Sequence, residues 1–185
     1  MFKDIFATHE DKMKKALEAL RREYSSLRAG RATPALLDKV NVDYYGTPTP
    51  VNQVANVSVP EARMITIQPW EKTMLGAIEK AILKSDLGLT PNSDGTIIRL
   101  NIPQLTKERR TELAKTIGKK AEDARVAVRN IRRDANDAIK KLEKEKVATE
   151  DDSKKAQEDM QKVTDKYIKE IDNTMAAKEK EIMEV

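Results

Sequence analysis

The sequence predicts an α+β protein in which an elongated antiparallel three-helix bundle carries an inserted small β/α/β domain. Apolar residues recur at helical spacing at both ends of the chain, but they alternate at strand spacing in the middle. Charged residues make up 36% of the 185 residues and aromatic residues only 4%. This composition suits long, surface-rich helices better than a broad β core.

The first predicted helix covers residues 2–28, where apolar side chains recur every three or four positions between charged ones. The pattern stops at Gly30, a common helix terminator, and Pro34 prevents its continuation. His9 is the only histidine and lies on the same pattern. This spacing favours a position for His9 at the edge of the bundle over a role as a pH switch.

The inserted domain is predicted to cover residues 30–104. A short helix is expected from about Glu71 to Ser85. Alternating or β-branched segments predict the strands. These segments are KVNVDYYG, VANVSV, MITIQPW and TIIRLNI.

Three aromatic residues of the inserted domain have predicted positions. Tyr44 and Tyr45 are adjacent at the end of KVNVDYYG, so a strand there would point one inward and one outward. Trp70 is predicted to be a core or domain-surface anchor, since tryptophan is usually well buried.

Helical spacing returns at Leu105, and the second helix is predicted from about Lys107 to Lys146. A third helix follows Thr149, a suitable N-cap with three acidic residues after it. The second helix carries a heptad-like seam. Its members are Ile117, Ala121, Ala124, Val128, Ile131, Ala135, Ala138 and Leu142.

The domain boundaries follow from these stripes. Long helices with narrow apolar stripes are stable only when they pack together. Residues 1–29 and 105–185 are therefore predicted to form one discontinuous bundle. The chain crosses between the two domains twice, which predicts a hinge at about 29–33 and 103–106.

Positive charge is concentrated in the second helix. The formal net charge is +4, but residues 105–147 hold 14 basic and 8 acidic residues. Arg125, Arg129 and Arg132 fall within about 60° of each other on a helix, and Arg133 points further round. Two interpretations stay open on the charge pattern alone. The arginines could form a solvated face paired with nearby acids, or they could bind phosphates.

The residue types and motifs of the sequence disfavour several classes of function. The chain has no cysteine, which excludes disulfides and thiolate chemistry. No cluster has metal-ligand spacing, and no catalytic or phosphate-loop motif is present. The protein is therefore expected to be neither an enzyme nor a metal binder. No apolar run approaches the roughly 20 residues of a membrane span, and the N-terminus lacks a signal-peptide core. A soluble cytoplasmic protein is expected.

Long, ordered stretches of the chain resemble the bacterial ribosome recycling factor family, also called ribosome releasing factor. The likeness covers almost the whole length. Its segments are LRAGRATPALLDKV (27–40), YYGTPTPVNQVA (44–55), VPEAR (59–63), IQPWEKTML (67–75), IEKAILKSDLGL (78–89), IIRLNIPQLTKERRTELAK (97–115) and AEDARVAVRNIRRDAND (121–137).

The resemblance implies a translation factor whose two domains form an L shape like transfer RNA, joined by a flexible hinge. The factor splits post-termination ribosomes into subunits together with elongation factor G, which uses the GTP, so this chain itself has no cofactor. It acts before initiation factor 3, in the cytoplasm and as a monomer. The expected hinge residues are Ala29, Gly30, Arg31, Gln104 and Leu105.

The resemblance also implies that the bundle binds large-subunit ribosomal RNA near the intersubunit bridges. Arg132 matches a position on which the family depends. The full expected RNA-binding set is Arg28, Arg110, Arg129, Arg132 and Arg133.

The alternative function is a coiled-coil adaptor for protein partners. Salt dependence separates an adaptor from an RNA binder, because binding to phosphates weakens steeply with salt and binding in an apolar groove does not.

Overall fold

A computed structural model describes residues 2–27 and 30–184. The chain divides into two compact units, a helical unit of residues 2–27 and 106–184 and an inserted unit of residues 30–105. The helical unit contains α1 (Lys3–Ser25), α3 (Lys107–Lys144) and α4 (Glu150–Met183). The inserted unit contains α2 (Leu75–Lys84) and the strands β1 (Asn41–Tyr44), β2 (Thr47–Pro50), β3 (Ala55–Glu61), β4 (Met64–Pro69), β5 (Asn92–Ser93) and β6 (Ile98–Asn101).

Cross-helix contacts give the directions of the three long helices. Near the C-terminal end of α1, the Tyr24 hydroxyl donates to the Ile117 carbonyl of α3 over 2.7 Å. Near the other end of α1, the Tyr167 hydroxyl of α4 donates to Glu10 over 3.2 Å. Arg125 and Arg132 of α3 contact Asp172 and Gln161 of α4, respectively. Position therefore rises along α3 as it falls along α4, and the two helices run antiparallel. The α+β prediction of a helical bundle with a small β domain is confirmed.

The seam of α3 differs from the prediction at its C-terminal end. Buried positions follow the predicted seam as far as Ala135, apart from half-buried Ile131. The next buried residue is Ile139, whereas Ala138 and Leu142 are half-buried. A straight helix has 3.6 residues per turn, so a strict heptad stripe drifts by about 20° every seven residues. After almost four heptads, that drift moves the core position by one residue.

Side-chain caps fix the starts of α3 and α4. Thr106 accepts a hydrogen bond from the Arg109 amide at 3.1 Å. Thr149 and Asp152 form a reciprocal capping box, in which each side chain accepts from the other's backbone amide. The predicted N-cap of α4 is therefore confirmed. Within the described residues, no helix is both long and apolar enough to cross a membrane.

Two antiparallel sheets and α2 make up the inserted unit. β1 pairs with β2, and the larger sheet has the order β3-β4-β6-β5. Ile65 and Ile67 alternate with outward residues on β4 and are fully buried. They share one core with Ile78 of α2 and Ile98 of β6. Alternate residues of a strand point to the same face of the sheet, and residues three or four apart on a helix share one side. The apolar residues of the strands and of α2 can therefore meet in one layer.

Of the two positions predicted for Trp70, the structure shows the domain surface rather than the core, and of the two tyrosines Tyr45 is the outward one. Trp70 is not in the core, because 61% of its surface is exposed just after β4 ends. Its amide donates to the Val54 carbonyl, which ties the backbone to the sheet while the indole faces solvent. Tyr45 lies in the turn after β1 with φ of 49° and 76% exposure, so it does not continue the strand. Tyr44, the last residue of β1, is half-buried.

Candidate nucleic-acid interface

The arginine-rich half of α3 contains one arginine that the bundle itself holds. The Arg125 guanidinium lies 2.7 Å from Asp172 of α4 and 3.0 Å from Glu122, and its side chain is only 16% exposed. Burial works to lower its pKa, but the hydrogen bonds to Asp172 and Glu122 outweigh this effect and raise it. Arg125 is therefore a permanently charged cross-helix tie rather than a free donor.

Among the described residues, Arg129 and Arg133 make long contacts within their own helix. Arg129 Nη1 lies 3.4 Å from Glu122, and 42% of its side chain is exposed. Arg133 Nη1 lies 3.4 Å from the Asn130 side chain on an exposed part of α3. A guanidinium has five N–H donors, so most donors of both groups face solvent.

Arg132 has a different environment from its neighbours. Its Nη1 donates to Gln161 Oε1 of α4 over 2.7 Å, and Gln161 Nε2 in turn donates to Asp165 over 2.8 Å. Its Nε is buried without a hydrogen-bond partner in the described part of the chain. A buried unsatisfied donor costs about 1–3 kcal/mol, and more if charged. Stability alone therefore does not explain this placement.

A polar groove between α3 and α4 adjoins Arg132. It encloses about 580 Å³ and includes Asn136, Gln157 and Gln161 in its lining. Asn136 Oδ1 is also buried and without a hydrogen-bond partner among the described residues. Because Asn136 follows Arg132 by four positions, both unsatisfied atoms lie on the same side of α3.

Arg110 belongs to a different part of the helical unit. Its Nη1 donates to the carbonyls of Ile182 and Met183 over 3.1 and 3.2 Å, at the C-terminal end of α4. Cations are favourable at that end of a helix, since its carbonyls carry partial negative charge. Arg110 precedes Arg132 by about 33 Å of helix at 1.5 Å per residue. The structure therefore does not bring it together with Arg129, Arg132 and Arg133.

The hinge prediction and one predicted RNA contact fall partly outside the described residues. Arg28 and Ala29 lie there. Of the other predicted hinge residues, Gly30 has φ of 75°, in the left-handed region that glycine tolerates best. Gln104 is exposed and Leu105 is half-buried. The assignment of a hinge to these residues and to Arg31 stays a prediction.

Sequence reasoning missed the residues that distinguish the arginines from one another. Gln161, Asp165 and Asp172 all lie on α4. Gln161 and Asp172 bond to arginines of α3 across the helix interface, and Asp165 bonds to Gln161 within α4. The only local signal was the four-residue spacing of Gln161 and Asp165, which is common on helices.

The sequence predicted no metal site. Within the described ranges, no three His, Cys, Asp or Glu side chains could hold a metal ion.

The family profile described as "Ribosome recycling factor" matches residues 20–183. The chain belongs to the ribosome recycling factor family. Curated ribosome-recycling factors are similar to this sequence over its whole length. That of Desulforamulus reducens is 63% identical and that of Desulfitobacterium hafniense 68% identical, each over 100% of both chains. The family suggested by the sequence segments is therefore confirmed.

Solved structures of ribosome recycling factors share the fold. A solution structure of one matches with a TM-score of 0.76 and 47% identity, covering 100% of this chain and 98% of that one. A second match has a TM-score of 0.64 and 46% identity over 98% of both chains. It is described as the T. thermophilus ribosome recycling factor in models with E. coli elongation factor G bound to the E. coli post-termination complex.

Proposed function

We propose that this chain splits post-termination ribosomes into subunits, together with elongation factor G and GTP. Its family membership supports this proposal, as does the related factor described on a post-termination complex with elongation factor G. The chain acts as a non-enzymatic translation factor in the cytoplasm, before initiation factor 3. GTP hydrolysis belongs to the elongation factor, so this chain needs no cofactor of its own.

The proposed docking surface on large-subunit ribosomal RNA is the face of α3 that carries Arg129, Arg132 and Arg133. Guanidinium groups suit phosphate oxygens because they donate two parallel charge-assisted hydrogen bonds. Arg129 and Arg133 leave most of their donors to solvent. A regular helical row of such groups matches the shape of a folded RNA backbone better than it matches single bases, which need aromatic platforms.

The observation that carries this proposal is the state of Arg132. Gln161 holds one end of its guanidinium, and Asp165 orients Gln161, while the buried Nε has no partner within the described residues. Such an arrangement fixes the direction of the group before binding, which lowers the entropy lost when it meets a phosphate. Gln161 and Asp165 are thus positioning residues in this proposal.

Arg28 and Arg110 belong to the proposed RNA-binding set through the family resemblance. The Nη1 of Arg110 caps α4, so its share in RNA binding would rely on its other donors. Gly30, Gln104 and Leu105, with Ala29 and Arg31, form the proposed hinge. Elongation factor G would move the inserted unit about this hinge while the helical unit stays docked.

The test is conversion of post-termination ribosomes to free subunits with elongation factor G and GTP. Arg132→Ala is compared with Arg109→Ala, which removes the same charge from an exposed arginine of α3 that pairs with Glu112. A hydrogen bond to a charged group contributes about 1.5–3 kcal/mol, which predicts a loss of about tenfold or more at low factor concentration. Equal splitting by both folded variants would overturn the role of Arg132.

Salt dependence separates RNA docking from the coiled-coil adaptor. Each phosphate contact contributes a slope of about −1 to the plot of log affinity against log salt concentration. Arg132→Ala should therefore flatten this slope for ribosome binding by about one, whereas Gln161→Leu should weaken binding and keep most of the slope. A salt-independent affinity for the wild-type chain would favour an apolar protein partner instead.

A further inference from the structure

An aromatic depression lies on the surface of the inserted unit. It encloses about 240 Å³, with buried Val54 and Met74 among its lining residues and the exposed indole of Trp70 beside them. The lining residues are Tyr44, Thr49, Gln53, Val54, Trp70, Glu71 and Met74. Because Trp70 is 61% and neighbouring Tyr45 76% exposed, packing within the fold does not explain these large aromatic groups.

Glu71 organises the aromatic side chains around it. The Tyr44 hydroxyl donates to Oε1 of Glu71 and the Tyr45 hydroxyl donates to Oε2, each over 2.9 Å. The two tyrosine rings meet edge to face, with centroids 4.7 Å apart. The hydrogen bond to Glu71 raises the pKa of both phenols, so both remain protonated donors at neutral pH. One carboxylate thus holds both rings in a fixed arrangement.

The electrostatics of the depression favour a cation. Both phenolic protons are donated to the Glu71 carboxylate. The remaining lone pairs of Glu71 and of the two tyrosine oxygens can therefore only accept hydrogen bonds. Aromatic faces also carry partial negative charge. Among the described residues that line the depression, Glu71 is the only charged one. A guanidinium or ammonium supplies both the charge and the donors that this surface lacks.

We propose that this depression, the aromatic–carboxylate cradle, binds an arginine or lysine side chain of a basic segment on a protein partner. The side chain would lie against the Trp70 face and donate to Glu71. A nucleotide base could also stack on Trp70, but its phosphate would meet the uncompensated charge of Glu71. The inference rests on the inserted unit alone and is independent of the RNA-docking face proposed for α3.

The test uses the full chain and a blocked peptide with two arginines, matched by the same peptide with citrulline. Trp70 is the only tryptophan of the chain, so its fluorescence reports the cradle directly. Amide and indole NMR shifts of the same samples locate the contact. The wild-type chain should bind the arginine peptide at least about fivefold more tightly than the citrulline peptide at low salt.

Two variants and one control make the test specific. Glu71→Gln and Trp70→Ala should each weaken binding by about threefold to tenfold. Glu61→Gln removes an exposed carboxylate of the same unit that does not line the cradle, and it should bind like the wild type. Equal binding of arginine and citrulline peptides, or equal loss in Glu61→Gln, would overturn the proposal. So would tighter binding of a short single-stranded RNA than of the arginine peptide at Trp70.

Discussion

In the helical unit the buried residues form a line along three helices, whereas in the inserted unit they gather in one cluster between a sheet and α2. The line contains small residues such as Ala121 and Ala135, with polar ties like Arg125–Asp172 beside it. The cluster is built mainly from β-branched and leucine side chains brought together from distant positions. Packing along the helix interfaces stabilises the helical unit, whereas strand pairing around a single core cluster stabilises the inserted unit.

The difference shows where each unit is vulnerable. A residue in the line packs along a helix interface, so its loss should loosen the helices of that unit. A residue in the cluster contacts several strands at once, so its loss affects the whole unit. The predictions below test that contrast.

The largest expected effect is in the cluster. Ile67 is fully buried on the central strand β4, and Ile67→Ala should lower the free energy of unfolding of the inserted unit by about 3–4 kcal/mol. Amide hydrogen exchange should speed up across β3, β4 and β6 while α3 and α4 stay protected. Ile139→Ala, at a fully buried position of the helical unit, should give the reverse pattern. Uniform acceleration in both units would show that they unfold as one.

The second prediction concerns alkaline pH and the helical unit. Burial raises the pKa of Tyr24 to about 12, above the usual value near 10. Because the folded state favours the neutral phenol of Tyr24, this phenol contributes fully to the stability of the fold below about pH 10. The contribution is lost as pH rises towards 12. Thermal melting between about pH 9 and pH 11.5 should show a steeper loss in the wild type than in Tyr24→Phe. Parallel curves would contradict it.

The third prediction concerns the capping box of α4. Thr149→Ala removes the side-chain acceptor for the Asp152 amide and should lower the free energy of unfolding by about 1 kcal/mol. Thr149→Ser keeps the hydroxyl and is the matched control. Denaturant titration followed by circular dichroism measures both. If the two variants melt alike, the threonine methyl group rather than the cap is responsible.

The smallest expected effect is at acid pH in the inserted unit. Asp94 accepts from the amides of Ile97 and Thr96, then from Arg99, and these bonds lower the pKa of its carboxyl to about 2. Its stabilising effect is present above about pH 4 and is lost as pH falls through 2. Protection of the Thr96 and Ile97 amides should fall in that window, and Asp94→Asn should abolish the pH dependence. An unchanged profile in Asp94→Asn would contradict the assignment.

The line of the helical unit was largely predictable because helical periodicity is a local signal. Thr149 was recognisable as a cap from its own chemistry and the three acids after it. The inserted unit was harder to predict. Its strands were visible as segments, but the order β3-β4-β6-β5 depends on pairings that no local pattern encodes. For Trp70 the sequence left a core and a domain-surface position open, because the usual burial of tryptophan does not choose between them.

The arginines show the same limit at the candidate site. Arg125, Arg129 and Arg132 are equivalent in spacing and composition, so the sequence could not separate a structural tie from a free donor. Their partners on α4 lie 47 positions away for Arg125 and 29 for Arg132. Only the register between α3 and α4 determines which arginine meets a carboxylate and which meets an amide.

The length of α3 has a geometric consequence for the proposed splitting of ribosomes. Its 38 residues span about 57 Å, and caps and cross-helix ties hold it along much of that length. For a rigid rod of this length, a rotation of about 5° around one end carries the other end through about 5 Å. A displacement of that size exceeds the reach of a hydrogen bond. A small angular change imposed on one end of α3 is thus amplified into a movement large enough to break contacts at the other.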